Sequence, residues 1–381
     1  VATILVTCGE TSGEHHAALL VAELRRHDPS CRVVALGGPE LAQAGAEIVF
    51  PLDRYAVMGF FEVFAKLPRF VSLERALGRL LSSGEVDLFV PVDYPGLNLR
   101  LAARARSRRV PVLYFISPQV WAWGGWRLAR MKRSVDLMAV ILPFEADIYR
   151  RAGIPVLAYS HPMLEEIAAA APKEAPRADE PFTVLLFPGS RKQEFARMFP
   201  VLLGATGLLH ERFPRARFRI GLAPLIEDVS GEIPADMRPY VSVTRAGVEE
   251  LAGASLVMAT SGTITLQCAL SGTPTVVLYR TSPVTYALGR LLVRIPWIAM
   301  PNVLARERIV PELIQGRATP GRVAGEAAAL VADRERYRRT SAALIALRDK
   351  LRAPRKMSDL AAAALAMARG EGAPGEAGRG A

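Results

Sequence analysis

Short apolar runs alternate with amphipathic stretches through most of the chain. ATILVTCG (2–9), RVVALGG (32–38), DLFVPVD (87–93), PVLYFIS (111–117) and LMAVILP (137–143) are rich in β-branched residues and apolar on both faces. That pattern predicts buried parallel strands. Between them EHHAALLVAELRRH (14–27) and LERALGRLLSS (73–83) carry helical spacing, so the first half reads as βαβ units building a doubly wound sheet. AAAAPKEAPRADEP (168–181) has no apolar periodicity and reads as a linker. The alternation restarts with FTVLLFPGS (182–190), RFRIGLA (217–223), VSVTRAG (241–247), LVMATSG (256–262) and TPTVVLYR (273–280). Two α/β domains are expected, 1–170 and 182–339, joined by 171–181. From about 319 the pattern is helical and rich in Ala and Arg, and the tail 370–381 reads as disordered.

Composition narrows the class. A chain of 381 residues suits two domains rather than one core, and 51% hydrophobic with 22% charged residues excludes a disordered protein. No apolar run reaches the ~18–20 residues that span a bilayer. No cationic leader with an apolar run opens the sequence, so no signal peptide is expected. Cys8, Cys31 and Cys268 are odd in number and widely spaced, against a disulfide scaffold or cysteine zinc module and in keeping with a reducing compartment. The net charge of +11 is concentrated: Arg100, Arg104, Arg106, Arg108, Arg109, Arg127, Arg130, Lys132 and Arg133 fall in one window without an acid. A local cationic face points to an anionic surface or a phosphorylated substrate.

Candidate chemistry lies in loops after the strands. GETSGE (9–14) follows the first strand and opens a helix, but lacks the G-x-G-x-x-G dinucleotide spacing. Glu10 there suits sugar hydroxyls better than a phosphate, while Thr11 or Ser12 as a plain helix cap is the competing reading. In PVDYPGLN (91–98), Asp93 stands at the carboxyl end of a strand, where open sheets bind ligands, and can serve as a general base or a cap. SPQVWAWGGWRLARMKR (117–133) gathers Trp121, Trp123 and Trp126 with Arg127 and Arg130, a combination suited to a membrane interface, an amphiphile headgroup or a single-stranded nucleic acid. FPGSRKQEF (187–195) brings Gly189, Ser190 and Arg191 to a helix start, and SGTITLQ (261–267) brings Ser261, Gly262, Thr263 and, one turn on, Gln267. Two such loops in one domain point to a nucleotide diphosphate, which a guanidinium pairs through two oxygens. His15–His16 lacks metal-ligand spacing, and no DxD, HExxH or P-loop lysine occurs, so no catalytic metal is expected. Phe60, Phe61, Phe64 and Phe70 read as core, with an acyl groove or membrane-facing patch as the other reading.

The ordered set GETSGE, YAVMGFFEV, VDYPGLN, FISPQVWAW, LPFE, FPGSR, SGT and MPNVLA resembles the lipid-A-disaccharide synthases, from about Ala2 to Gln315. The resemblance implies a GT-B fold of two Rossmann-like domains facing a cleft, with the last helices, about 340–369, returning to the first domain. It implies transfer from UDP-2,3-diacylglucosamine to 2,3-diacylglucosamine 1-phosphate, giving a β-1,6-linked disaccharide 1-phosphate and UDP, inverting and metal-independent. The UDP-sugar is a substrate, and no cofactor is implied. Asp93 aligns with the family's essential aspartate as base, and Glu10 with a glutamate that positions a sugar hydroxyl. Ser190 and Arg191 would stabilise departing UDP, with Asn302 near the nucleotide. Family members sit peripherally on the cytoplasmic face of the bacterial inner membrane; oligomeric state stays open, a homodimer included. This chain departs from the usual pattern at Glu14, Gly96, Ser160 and Gln267, the last standing where a ribose-binding glutamate is usual. The rival readings are another GT-B UDP-sugar enzyme, such as a UDP-N-acetylglucosamine 2-epimerase, and, more remotely, a nucleic-acid-binding protein.

Overall fold

The computed structural model describes residues 1–52, 60–224, 226–245, 249–293 and 295–372, with the side chains of Thr11 and of 60–69 left out. Most of the YAVMGFFEV motif, the side chains of Phe60, Phe61 and Phe64, and the tail from 373 on therefore lie outside the described residues. The chain divides into two compact units, one made of Val1–Pro162 with the chain from Leu351 onward, the other of Met163–Lys350.

The first unit is a parallel sheet of β1 (Thr3–Thr7), β2 (Arg32–Gly37), β3 (Glu47–Pro51), β4 (Leu88–Pro91), β5 (Leu113–Phe115), β6 (Leu137–Val140) and β7 (Val156–Ala158). The order β3-β2-β1-β4 continues through single bridges, Phe89 to Val112 and Val92 to Phe115, into β5-β6-β7. Alternate residues of β1 serve opposite faces, as a pleated strand dictates. Ile4 and Val6 pack with Leu20 and Leu24 of the helix Thr11–His27 and with Leu360 and Ala364 of the helix Met357–Ala368. Leu5 packs on the other side with Leu77 and Ala102 of the helices Phe60–Leu80 and Pro95–Ser107. Both faces are covered, which explains the uninterrupted apolar runs.

The second unit repeats the plan with β8 (Phe182–Phe187), β9 (Ala216–Gly221), β10 (Val241–Thr244), β11 (Leu256–Thr260), β12 (Thr275–Tyr279) and β13 (Glu312–Ile314). Its order is β10-β9-β8-β11-β12-β13, all parallel. Val184 and Leu186 meet the helices Lys192–Arg212 and Pro320–Ala332, while Leu185 meets Leu251 and Cys268 on the far face.

The boundaries differ from those expected. Segment 163–181 is anchored in the second unit: Lys173 Nζ donates to the carbonyls of Leu251, Ala252 and Ala254 at 2.7, 3.0 and 2.7 Å, closing the carboxyl end of the short helix Glu249–Gly253. Arg348 donates to the carbonyls of Leu164 and Leu270, both at 3.1 Å. The helix Arg334–Lys350 also stays with the second unit, where Tyr337 bonds Ser255 O and Ser341 bonds Gly272 O. Only the helix Met357–Ala368 returns to the first. These anchors are long polar side chains reaching backbone carbonyls, and composition does not register them.

Candidate active site

In the first unit, chemistry gathers where β1 and β4, neighbours in the sheet, both end. β4 runs into a turn in which Asp93 and Tyr94 both have φ of 47°, left-handed backbone that non-glycine residues rarely adopt. The turn is held from several sides. The Asp93 amide donates to Phe115 O at 3.0 Å, and its carbonyl accepts from Asn98 Nδ2 at 2.8 Å and from the Tyr114 hydroxyl at 2.6 Å. Asn98, fully buried, also accepts from the Thr7 hydroxyl at 2.8 Å, tying the end of β1 to that of β4. Gly9 is required on the facing loop: a Cβ there would fall inside the Tyr94 ring.

This places the Asp93 carboxyl in a mostly buried position with its pKa pushed up to about 6, first by burial and then by the charge of Glu10, while the Tyr94 amide pulls it down. Glu10 is the exposed N-cap of the helix Thr11–His27. The two carboxylates singled out in sequence are thus within electrostatic reach of each other. Glu14 serves structure: buried, it accepts from the amides of Glu40 and Leu41 and caps the helix Pro39–Gln43.

The three tryptophans separate. Trp121 turns inward and donates from Nε1 to Glu145 Oε1 at 2.7 Å, its ring edge-on to Phe144. Trp123 and Trp126 (67% exposed) remain at the surface, with the Arg127 guanidinium 4.0 Å from one ring centre and 5.4 Å from the other. Burial of Arg127 lowers its pKa, and Tyr114, the hydroxyl that holds Asp93, lies within its field. Arg130, Lys132 and Arg133 are exposed. The window is less positive in space than along the chain, because Arg100 pairs with Glu74 at 3.1 Å and Arg106 with Asp136, acids from outside it. Glu145 was not foreseen as a site residue. It is buried and its carboxyl is pushed up to about 8, chiefly by burial, against hydrogen bonds from Trp121 and Ser117, with Asp93 adding to the rise. Burial thus favours its protonated form.

In the second unit, β8 and β11 are neighbours and both candidate loops leave their carboxyl ends. Gly189, with φ of 121°, turns the chain so tightly that a Cβ would crowd Glu194 at 2.9 Å and Thr260 at 3.3 Å, so the two loops lie side by side. Ser190 and Arg191 are exposed at the start of the helix Lys192–Arg212, Arg191 pairing with Glu194 at 3.3 Å. Gly262 and Thr263 are exposed at the start of the helix Thr263–Leu270, and Gln267 is half-buried one turn on. Ser261 donates to Ile298 O at 2.7 Å and fixes its loop to the next one. Asn302 is fully buried and its amide is saturated: Nδ2 donates to Val310 O and Glu312 Oε1, and Oδ1 accepts from the amides of Ile309 and Val310. Glu312 also accepts from the amides of Ile298 and Ala299, capping the helix Met300–Ala305. Asn302 therefore braces the turn at 309–310 directly and, through Glu312, the loop that carries Ile298, with its amide fully engaged within the protein. Two helix N-termini and one guanidinium, side by side at strand ends, can together attract an anion.

Two parallel sheets whose strands follow the 3-2-1-4-5-6 order, each with its chemistry at the strand ends, define a GT-B type protein. Solved structures share the architecture. The glycotransferase of kitacinnamycin superposes with a TM-score of 0.61 at 16% identity, over 95% of this chain and 97% of its own. A UDP-N-acetylglucosamine 2-epimerase from Listeria monocytogenes gives 0.61 at 11%, over 98% of each. At that identity the likeness is one of fold. Sequence carries the assignment further: the lipid-A-disaccharide synthetase family profile matches residues 4–367, and the lipid-A-disaccharide synthase of Nitrosococcus oceani is 36% identical over 381 residues, 97% of each chain. The chain belongs to the lipid-A-disaccharide synthetase family and is a glycosyltransferase of lipid A biosynthesis. The epimerase reading is not favoured.

Proposed function

We propose that the chain transfers 2,3-diacylglucosamine from its UDP derivative to the 6-hydroxyl of 2,3-diacylglucosamine 1-phosphate, with inversion at the anomeric carbon. Asp93 is the base. Its carboxylate takes the proton of the acceptor 6-hydroxyl as that oxygen bonds to C1 of the donor sugar, and the C1–O bond to the β-phosphate breaks with its electron pair leaving on UDP. The observation that carries this reading is the Asp93 carboxyl, fixed on a left-handed turn at a strand end with a pKa of about 6. A base poised near neutrality is mostly ionised at pH 7 yet still has affinity for the proton. Glu10 orients a sugar hydroxyl beside it. Arg191, the Ser190 hydroxyl and the amides of 189–191 take the charge developing on UDP, with Gly262, Thr263 and Gln267 holding the nucleotide and Ser261 and Asn302 setting their loops.

Trp123, Trp126, Arg127 and Arg130 suit the acceptor's phosphate and an anionic bilayer surface, an aromatic pair with cations being fitted to both. Among the described residues no helix is long and apolar enough to cross a membrane. Peripheral association at the cytoplasmic face of the inner membrane accords with that. Mass spectrometry after mixing the protein with both acylated sugars tests the reading. A tetraacyl disaccharide 1-phosphate is expected; an epimerised UDP-sugar, or unchanged substrates, would defeat it.

A further inference from the structure

The helix Pro283–Leu292 in the second unit is well made locally yet buries none of its residues. Ser282 caps it, accepting from the Thr285 amide at 3.1 Å, and Pro283 opens it. Its apolar positions follow helical spacing, Val284, Leu288 and Leu291, at 70%, 45% and 80% exposure, with Leu292 beside them. A stripe at i, i+4 and i+7 ordinarily faces a core; this one faces solvent. The local charge is one-signed. Along the chain, residues 251–306 contain no Asp or Glu, and Arg280 and Arg290 stand shortly before and within the helix. An exposed leucine stripe in a stretch of chain whose only charged residues are arginines matches one partner chemistry, a lipid bilayer with anionic headgroups, whose acyl boundary takes the stripe and whose surface charge takes the cations.

We propose that the helix Pro283–Leu292 is a bilayer-docking element of the second unit, lying in the plane of an anionic membrane with Val284, Leu288 and Leu291 in the acyl boundary and Arg290 at the headgroups. This deepens the reading that the chain works on acylated sugars and rests on it. The unit that holds the nucleotide loops is thereby held at the surface where an acylated donor resides.

The test is co-sedimentation of the full chain with phosphatidylcholine vesicles, with and without phosphatidylglycerol, alongside product formation on detergent-dispersed substrates. The triple variant Val284→Gln, Leu288→Gln, Leu291→Gln removes only exposed side chains from a helix that glutamine favours. It should lower the vesicle partition constant by about 100-fold at any salt. Arg290→Glu should lower it by about tenfold at low salt and little at high salt. The triple variant should keep parental turnover on detergent-dispersed substrates. Parental sedimentation of the triple variant overturns the proposal. So does a dimeric parent that the triple variant converts to monomer by light scattering with vesicle binding intact, since the stripe would then be covered by a second copy. A parent that binds through this helix but makes no disaccharide would refute the proposed reaction and leave the docking element standing.

Discussion

Replacing Asp93 by Asn should abolish turnover and, at neutral pH, make the protein more stable. Loss of a general base typically lowers rate by about 10² to 10⁴, and Asn keeps the shape and the acceptor for the Tyr94 amide. The stability effect follows from linkage. The carboxyl is raised from 3.8 to about 6 in the folded protein, so folding disfavours its ionised form. The resulting destabilisation is absent below the unfolded value, grows between about pH 4 and 6, and is constant above. A shift of that size corresponds to about 3 kcal/mol, which solvent on the partly open side reduces to roughly 1.5–3 kcal/mol. Asp93→Asn should therefore raise Tm by several degrees at pH 7 and by nothing at pH 3.5. If Asp93 is the base, the same carboxyl should give the parent enzyme an acidic limb in kcat/KM. With a pKa near 6, about a tenfold loss is expected between pH 7 and pH 5, whereas an ordinary aspartate would lose under about a tenth. Glu10→Gln should move that limb to lower pH, since the charge of Glu10 raises it. Calorimetry from pH 3.5 to 8 and a matching rate profile read both effects. Substantial turnover in Asp93→Asn, or a rate profile flat from pH 7 to 5, would refute the reasoning.

Glu145→Gln keeps an acceptor for the Trp121 indole while removing a carboxyl raised from 4.5 to about 8; its Tm should exceed the parent's by a margin that opens from about pH 4.5 and levels off above pH 8. Glu145→Ala should instead lose about 1–3 kcal/mol in denaturant unfolding, with Trp121 left unpaired. Gly9→Ala puts a methyl into the Tyr94 ring and should reduce kcat by about tenfold or more, with UDP affinity, read by calorimetric titration, unchanged. Asn302→Ala strands the amides of Ile309 and Val310; about 2–4 kcal/mol of stability and much of the UDP affinity should go together. With Arg191 and backbone amides holding the diphosphate, turnover should survive excess EDTA, and loss restored by magnesium would displace that account.

The fold was legible because burial on both faces of a parallel sheet leaves β-branched apolar runs such as ILVT and TVLLF at regular intervals between amphipathic stretches. The edge strands β3, β7 and β13 escaped because β7 and β13 have only three residues each and Glu47–Pro51 is nowhere fully buried. The loops were legible as well, because Gly and Pro mark strand ends, and Asp93, Ser190 and Thr263 all stand directly behind one. What pattern alone could not convey was which polar side chains face inward. Trp121 and Trp123 are two residues apart in the same motif, yet one is bound to a buried carboxyl and the other stacks on Arg127 at the surface. Asn302 bonds only within the protein, to 309–312, and Glu145 and Glu312, which the sequence did not single out, hold the Trp121 indole and the amides of 298–299.

A separate set of braces explains how the Asp93 carboxyl, the proposed base, can be raised without being lost into the core. A carboxyl escapes burial by rotating toward water unless its backbone is fixed, and here the backbone is fixed first. Asn98 and Tyr114 hold the Asp93 carbonyl, Phe115 holds its amide, and the Tyr94 ring is seated on Gly9. The left-handed turn, worth roughly 1–3 kcal/mol of strain per residue, and the unfavourable ionisation of Asp93 are then destabilising terms that the rest of the unit offsets. Removing a brace should release both. Asn98→Ala is thus expected to do what Asp93→Asn does not: shift the acidic limb of kcat/KM toward the ordinary aspartate range as the carboxyl relaxes to solvent, while kcat falls because the base no longer points at the hydroxyl. A limb that stays near pH 6 in Asn98→Ala would mean that burial of Asp93 is set by its neighbours alone, and the turn would have no part in tuning it.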